Sequence, residues 1–144
     1  MLQGPTGTGK TMAMEVMSIY LELEKIAFKM NDKVYRMNFS VVNVNDIVNG
    51  FLQHAFEGIQ TYINRYVICL DDIGTEIREV KYFGNSLDVI SHIISERYAK
   101  EKLIFATTNY PKEMLGYIYS DRIVSRIYEM FNFITVKGDD FRKQ

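Results

Sequence analysis

The chain has 144 residues, 47% of them hydrophobic, enough for one domain with a sizeable core and too few for two comfortable ones. The charge count, 17 Lys and Arg against 18 Asp and Glu, leaves a net charge of −1, which excludes a basic arm gripping nucleic acid by charge alone and an acidic disordered tail. A single cysteine, Cys69, excludes an internal disulfide framework and points to a reducing, cytoplasmic setting, and no apolar run approaches the ~18 residues of a membrane span.

Taken in chain order, Met1-Leu2-Gln3 reads as a short strand. Thr11 to about Met30 reads as a helix, with Met12, Val16, Tyr20, Leu23 and Ala27 recurring at spacings of three and four. A strand is predicted over Val34 to Val44, then a helix capped by Asp46 and running to about Phe56. Tyr66 to Leu70 is a continuous apolar run closed by Asp71-Asp72, the pattern of a buried parallel strand. Ser86 is expected to cap a helix presenting Leu87, Ile90, Ile94 and Tyr98. Leu103 to Thr108 reads as another buried strand, Pro111 opens a short helix, and Ser120 caps a further one to about Phe131. Phe133 to Val136 is the last strand. Strands alternating with helices predict an α/β fold with a parallel sheet flanked by helices.

Three segments carry chemistry. Gly4-Pro5-Thr6-Gly7-Thr8-Gly9-Lys10-Thr11 matches G-x-x-x-x-G-K-[ST], the P-loop or Walker A pattern. Its glycines permit backbone conformations that turn successive N–H groups into one concavity, and the helix behind adds its positive end. Lys10 is then expected to reach the β- and γ-phosphates of ATP, and the Thr11 hydroxyl to ligate Mg²⁺. Asp71 ends its strand 61 residues after Lys10, where a carboxylate can hold Mg²⁺ through water, the Walker B role. Asp72 follows as the group to orient the attacking water; many ATPases carry Glu there, one methylene longer, and Glu76 is a second candidate. Asn109 closes Thr107-Thr108-Asn109 at a strand C-terminus, where ligand crevices form in open α/β sheets, and its amide suits a γ-phosphate sensor. A P-loop is normally fed by a strand of about five or six residues, so a domain spanning residues 1–144 and truncated at its N-terminus is expected.

Arg122 and Arg126, within Asp121-Arg122-Ile123-Val124-Ser125-Arg126, share one helix face at i, i+4. Charge pattern alone would leave them solvated or paired with Asp121 and Glu129.

These residues together resemble a known family. Cys69-Leu70-Asp71-Asp72-Ile73-Gly74-Thr75-Glu76, Glu96-Arg97-Tyr98 before Ile104 to Asn109, and Asp121 to Ile127 with the later Gly138 and Arg142 are similar to DnaC-type replicative helicase loaders, within the DnaC/IstB branch of AAA+ ATPases. The resemblance covers nearly the whole chain. It implies an ATPase of P-loop, AAA+ type that assembles into an ATP-dependent homo-oligomer, contacts single-stranded DNA and serves a replicative helicase. It also implies that one late arginine reads ATP on a neighbouring subunit; Arg126 is favoured over Arg122. Eight residues after Val136 are too few for the helical lid of most AAA+ proteins, which fits this branch. The domain that grips the helicase in such loaders has no counterpart in the sequence. Two alternatives stay open: an IstB-like, transposase-associated ATPase, and an adaptor that ATP orders without being hydrolysed.

Other residues read as ordinary structure. His54 and His92 stand alone in helical patterns, and Cys69 reads as packing. Met12, Met14 and Met17 read as core, and Tyr110, Tyr117 and Tyr119 as partly buried aromatics rather than a base-stacking set. Lys29, Lys33 and Arg36 form a modest basic cluster, a DNA contact or a solvated face.

Overall fold

The computed structural model describes residues 1–30 and 32–141. Five parallel strands form the main sheet: β1 (Leu2–Gln3), β4 (Val41–Asn43), β5 (Val67–Asp71), β8 (Leu103–Thr108) and β9 (Ile134–Thr135), in the order β4-β5-β8-β1-β9. Two antiparallel hairpins stand apart from it: β2 (Ala27–Met30) with β3 (Lys33–Arg36), and β6 (Val80–Tyr82) with β7 (Asn85–Leu87). The helices are α1 (Lys10–Leu23), α2 (Val44–His54), α3 (Gln60–Asn64), α4 (Val89–Ala99), α5 (Leu115–Ile118) and α6 (Asp121–Met130), with single 3₁₀ turns before α3 and α5. No helical lid follows β9 among the described residues.

Strand alternation divides the interior into two cores. On one face Ile68 and Leu70 of β5, with Ile104 and Ala106 of β8, pack under α2, α3, α4, α5 and α6. On the other, Val67 and Cys69 of β5, with Leu103 and Phe105 of β8, meet Met14, Met17 and Leu21 of α1 and Phe28 of the first hairpin. All five residues of β5 are buried, as a strand covered on both faces requires. Short as it is, β1 is an inner strand, paired with β8 through Leu2 and Thr107 and with β9 through Leu2 and Ile134. It therefore aims the following loop from within the sheet.

Several predicted boundaries move. The first helix ends at Leu23, not Met30. Lys25 takes a left-handed conformation (φ 52°), while its N–H donates to Glu22 O (3.1 Å) and that of Ile26 to Leu21 O (3.0 Å). This is the helix stop that glycine usually supplies, and a lysine there carries no such signal. The residues beyond turn into β2. The predicted strand Val34 to Val44 is two strands in two sheets, and Asn43 rather than Asp46 caps α2, its side chain accepting from Asn45 N–H (2.9 Å). Asp88 rather than Ser86 caps α4, accepting from Ser91 N–H (2.9 Å); Ser86 lies in β7. The predicted face of α1 is also wrong. Met14 is buried, whereas Met12, Val16, Tyr20 and Leu23 are all more than half exposed.

Candidate functional site

Asp71 ends the inner strand β5 and Asp72 follows it, Asn109 follows the inner strand β8, and the loop after β1 comes to the same edge. Gly7 and Gly9 have φ of 81° and 79°, values that a side chain resists. With them the loop folds back on itself, and Gly9 becomes the first residue before α1, its carbonyl accepting from Ala13 N–H (2.9 Å). Helix α1 thus starts directly behind the loop, with its positive end toward it.

Lys10 is buried, and its ammonium donates to Gly4 O (2.8 Å), Pro5 O (2.7 Å) and Asn109 Oδ1 (2.8 Å). Asn109 Nδ2 in turn donates to Asp72 Oδ1 (3.1 Å). One line of hydrogen bonds therefore joins the loop lysine, the strand-end amide and the second aspartate. A parallel line joins the first aspartate: Thr11 Oγ1 donates to Asp71 Oδ1 (2.9 Å), and so does Thr107 Oγ1 (2.7 Å). Thr107 Oγ1 also accepts from Asp72 N–H (2.9 Å), which couples the two lines. Asp72 itself is left-handed (φ 62°), a conformation that aspartate tolerates better than most residues, and this breaks the strand after Asp71.

A cavity of about 570 Å³ opens here, lined by Thr6, Gly7, Gly9, Lys10, Thr11, Met12, Asp72, Asn109 and Phe141, a size typical of small-ligand sites. Its chemistry fits a phosphate group with a hard divalent cation. The lysine ammonium is held at the mouth of the loop, and a hydroxyl and a carboxylate lie 2.9 Å apart beside it. No cluster of three or more His, Cys, Asp or Glu side chains is found among the described residues, so a cation there would need oxygens from a phosphate or water as well.

Gly4, Pro5, Thr6, Gly7, Thr8, Gly9, Lys10, Thr11, Asp71, Asp72 and Asn109 thus converge on one edge of the sheet. Arg122 and Arg126 do not join them. They line a shallower cavity with Asp88, Ser91, His92, Ser95 and Ser120, and the Arg126 guanidinium lies over the Tyr98 ring, 5.1 Å from its centroid. Glu76 is withdrawn from the site: its buried carboxylate accepts from Gly74 N–H (2.7 Å) and from Tyr119 O–H. Burial, and then the charge and hydrogen bond of Glu76, hold the Tyr119 hydroxyl pKa well above its ordinary range, and Tyr119 is core, unlike the exposed Tyr117. Lys29, Lys33 and Arg36 lie on the β2–β3 hairpin, where Lys29 pairs with Asp32 at 3.0 Å. Gly138 lies beside Thr8, and Arg142 falls outside the described residues.

Sequence reasoning missed three contributors. Thr107 was in view as part of its motif but carried no role, although its hydroxyl ties Asp71 to Asp72. Met12, expected in the core, lines the cavity instead. Phe141 had no signal, because only the fold carries the C-terminal segment across the loop.

The model of the ATPase family associated with various cellular activities (AAA) matches residues 1–132. No curated protein matches the chain. Among solved structures, DnaI superposes with a TM-score of 0.70 at 23% identity, covering 96% of this chain and 70% of that one. A DnaC helicase loader gives 0.69 at 25% identity, covering 94% and 76%. AMPPCP-bound DnaA from Aquifex aeolicus gives 0.67 at 20% identity, covering 96% of this chain but 39% of its own. The expected likeness to helicase loaders thus holds in the fold, a parallel sheet flanked by helices. The chain belongs to the AAA family of P-loop ATPases.

Proposed function

We propose that this chain binds MgATP, hydrolyses it, and acts as the motor domain of a DnaC-like helicase loader in DNA replication. The observation that carries the reading is the hydrogen-bonded line from Lys10 through Asn109 to Asp72, beside the Thr11–Asp71 pair. Lys10 would exchange its bonds to the loop carbonyls for phosphate oxygens, and the N–H groups of Gly7 to Thr11 would cradle them. Thr11 and Asp71 are the residues to hold Mg²⁺, which supplies neutralisation of charge on the phosphates. Asp72, its carboxylate fixed by Asn109, orients a water for in-line attack on the γ-phosphorus; the bond to the β-phosphate oxygen breaks and ADP leaves. Asn109 bridges the lysine that meets the phosphate and the aspartate that meets the water, which suits a sensor of the γ-phosphate. Arg126, with Arg122 beside it, is the residue to enter a neighbouring copy's site in an ATP-dependent homo-oligomer.

The replication role rests on coarser support: the likeness of fold to DnaI, a DnaC helicase loader and DnaA, one DnaA structure containing single-stranded DNA. A replicative helicase and single-stranded DNA are accordingly the proposed partners, and the cytoplasm the proposed location. No described helix is long and apolar enough to cross a membrane.

The test is a MgATP titration of the chain beside Lys10→Ala, with sedimentation and phosphate release measured on the same samples. Saturable binding lost in Lys10→Ala is expected, with larger species appearing only with MgATP. Binding that survives Lys10→Ala overturns the site. Saturable binding without phosphate release at any concentration, with or without single-stranded DNA, replaces the hydrolytic reading by that of an ATP-ordered adaptor.

A further inference from the structure

The cavity is lined by two chemically different sets of residues. Gly9, Lys10, Thr11, Asp72 and Asn109 are the polar set, already matched to phosphate and cation. The remaining large side chains on its wall are Met12 and Phe141, both apolar, and they are 67% and 63% exposed. A lone exposed apolar side chain needs no explanation, but two lining one ligand cavity, from opposite ends of the chain and both more than half exposed, are a feature to account for.

Phe141 is not there by accident of a loose end. Val136 N–H donates to Gln3 O (2.8 Å), which fixes where the segment leaves the sheet beside the P-loop. Gly138 then passes Thr8, and the Asp140 carboxylate packs so closely on Gly7 that a Cβ there would lie 1.8 Å from Oδ1. Finally, Phe141 N–H donates to Gly7 O (3.2 Å). The segment is laid along the outside of the P-loop and delivers the ring to the cavity mouth. Met12 arrives from the first turn of α1, directly after Thr11.

We propose that Phe141 and Met12 form the seat for the base of a bound purine nucleotide, with the segment from Gly138 to Phe141 acting as a clasp that spans the P-loop. The inference rests on the nucleotide reading above and adds to it what holds the base. An aromatic ring and a thioether both pack well on a flat π-face. Contact of this kind adds affinity for the nucleoside part while leaving phosphate recognition to the loop.

That division gives the test. Binding is measured with MgATP and with inorganic tripolyphosphate plus Mg²⁺, on the full chain and on Phe141→Ala, Phe141→Tyr and Phe141→Trp. Phe141→Ala is expected to weaken MgATP by about tenfold, while tripolyphosphate binding changes by less than about twofold. Phe141→Tyr keeps the MgATP affinity. The chain has no tryptophan, so Phe141→Trp introduces a single indole, whose emission should be quenched by MgATP and not by tripolyphosphate. Equal losses for both ligands in Phe141→Ala overturn the inference, because the tail would then merely brace the loop. Unchanged MgATP binding in Phe141→Ala, or an indole that responds alike to both ligands, overturns it too. Failure of the unsubstituted chain to bind either ligand overturns the nucleotide reading and the base seat with it.

Discussion

Arg97 has no exposed surface, and backbone carbonyls surround it. Its Nη1 donates to Tyr62 O (2.7 Å) and Arg65 O (2.8 Å), and its Nη2 to Tyr66 O (3.1 Å) and to Leu103 O. One guanidinium thereby joins the end of α3 to the starts of β5 and β8, the two strands that lead to Asp71 and Asn109. Burial lowers its pKa to about 10, which still leaves it charged at neutral pH. Arg97→Met would leave several buried carbonyls without donors, and we expect a loss of about 3 kcal/mol or more. Arg97→Lys should recover only part, because an ammonium cannot fan out to four carbonyls in one plane. Urea denaturation checks both: a lower midpoint with an unchanged slope is the expected result, and an unchanged midpoint in Arg97→Met refutes the role. The sequence placed Arg97 in a motif but not in the core, since an arginine on a helix ordinarily reads as solvated. Cys69, by contrast, is buried packing, as its place in an apolar run predicts. Burial pushes its thiol up to about 12, so alkylation at pH 8 should follow global unfolding and not the native state.

At the scale of elements, what the sequence revealed depended on how local the cause was. Leu103 to Thr108 appears as the predicted strand, and α6 lies within a residue of its predicted bounds, because apolar runs and a single-sided face decide them. The end of α1 depends on a left-handed lysine, and the separation of β3 from β4 on which sheet each edge reaches; neither leaves a mark in composition. The inward face of α1 misled for a related reason. Both Met12-Val16-Tyr20-Leu23 and Met14-Met17-Leu21 have helical spacing, and only the sheet decides which row is covered. Met14→Ala should therefore cost about 2–4 kcal/mol, while Val16→Ala should stay within about 0.5 kcal/mol. Thermal melts of the two variants side by side test this, and similar losses in both would mean that the outer row of α1 is covered in solution.

For the whole molecule, the site was legible where one motif fixes several residues at once and illegible where distant segments meet. The P-loop, Asp71, Asp72 and Asn109 each end or follow a recognisable strand, so their convergence follows from a parallel sheet. Thr107 and Phe141 needed the strand order: β8 beside β5 sets the threonine between the two aspartates, and β9 on the far side of β1 leads the tail over the loop.

Arg122 and Arg126 pose the remaining problem of scale. Their cavity shares no lining residue with that of Lys10, and the proposed role accordingly assigns them to the site of a second copy of the chain. Arg126→Ala should then leave MgATP affinity in dilute chain within about twofold, and lower phosphate release by the assembled species by about a hundredfold or more. Complementation separates this from simple damage. Lys10→Ala lacks the phosphate contact but keeps Arg126, whereas Arg126→Ala keeps Lys10. Each alone is expected to be inactive. Mixed, they create interfaces in which Lys10 of one copy faces Arg126 of another, and a fraction of the activity should return. A mixture that assembles with MgATP yet stays as inactive as its components would show that Arg126 does not act across an interface, and the same mixing with Arg122→Ala would decide whether its neighbour one helical turn earlier does.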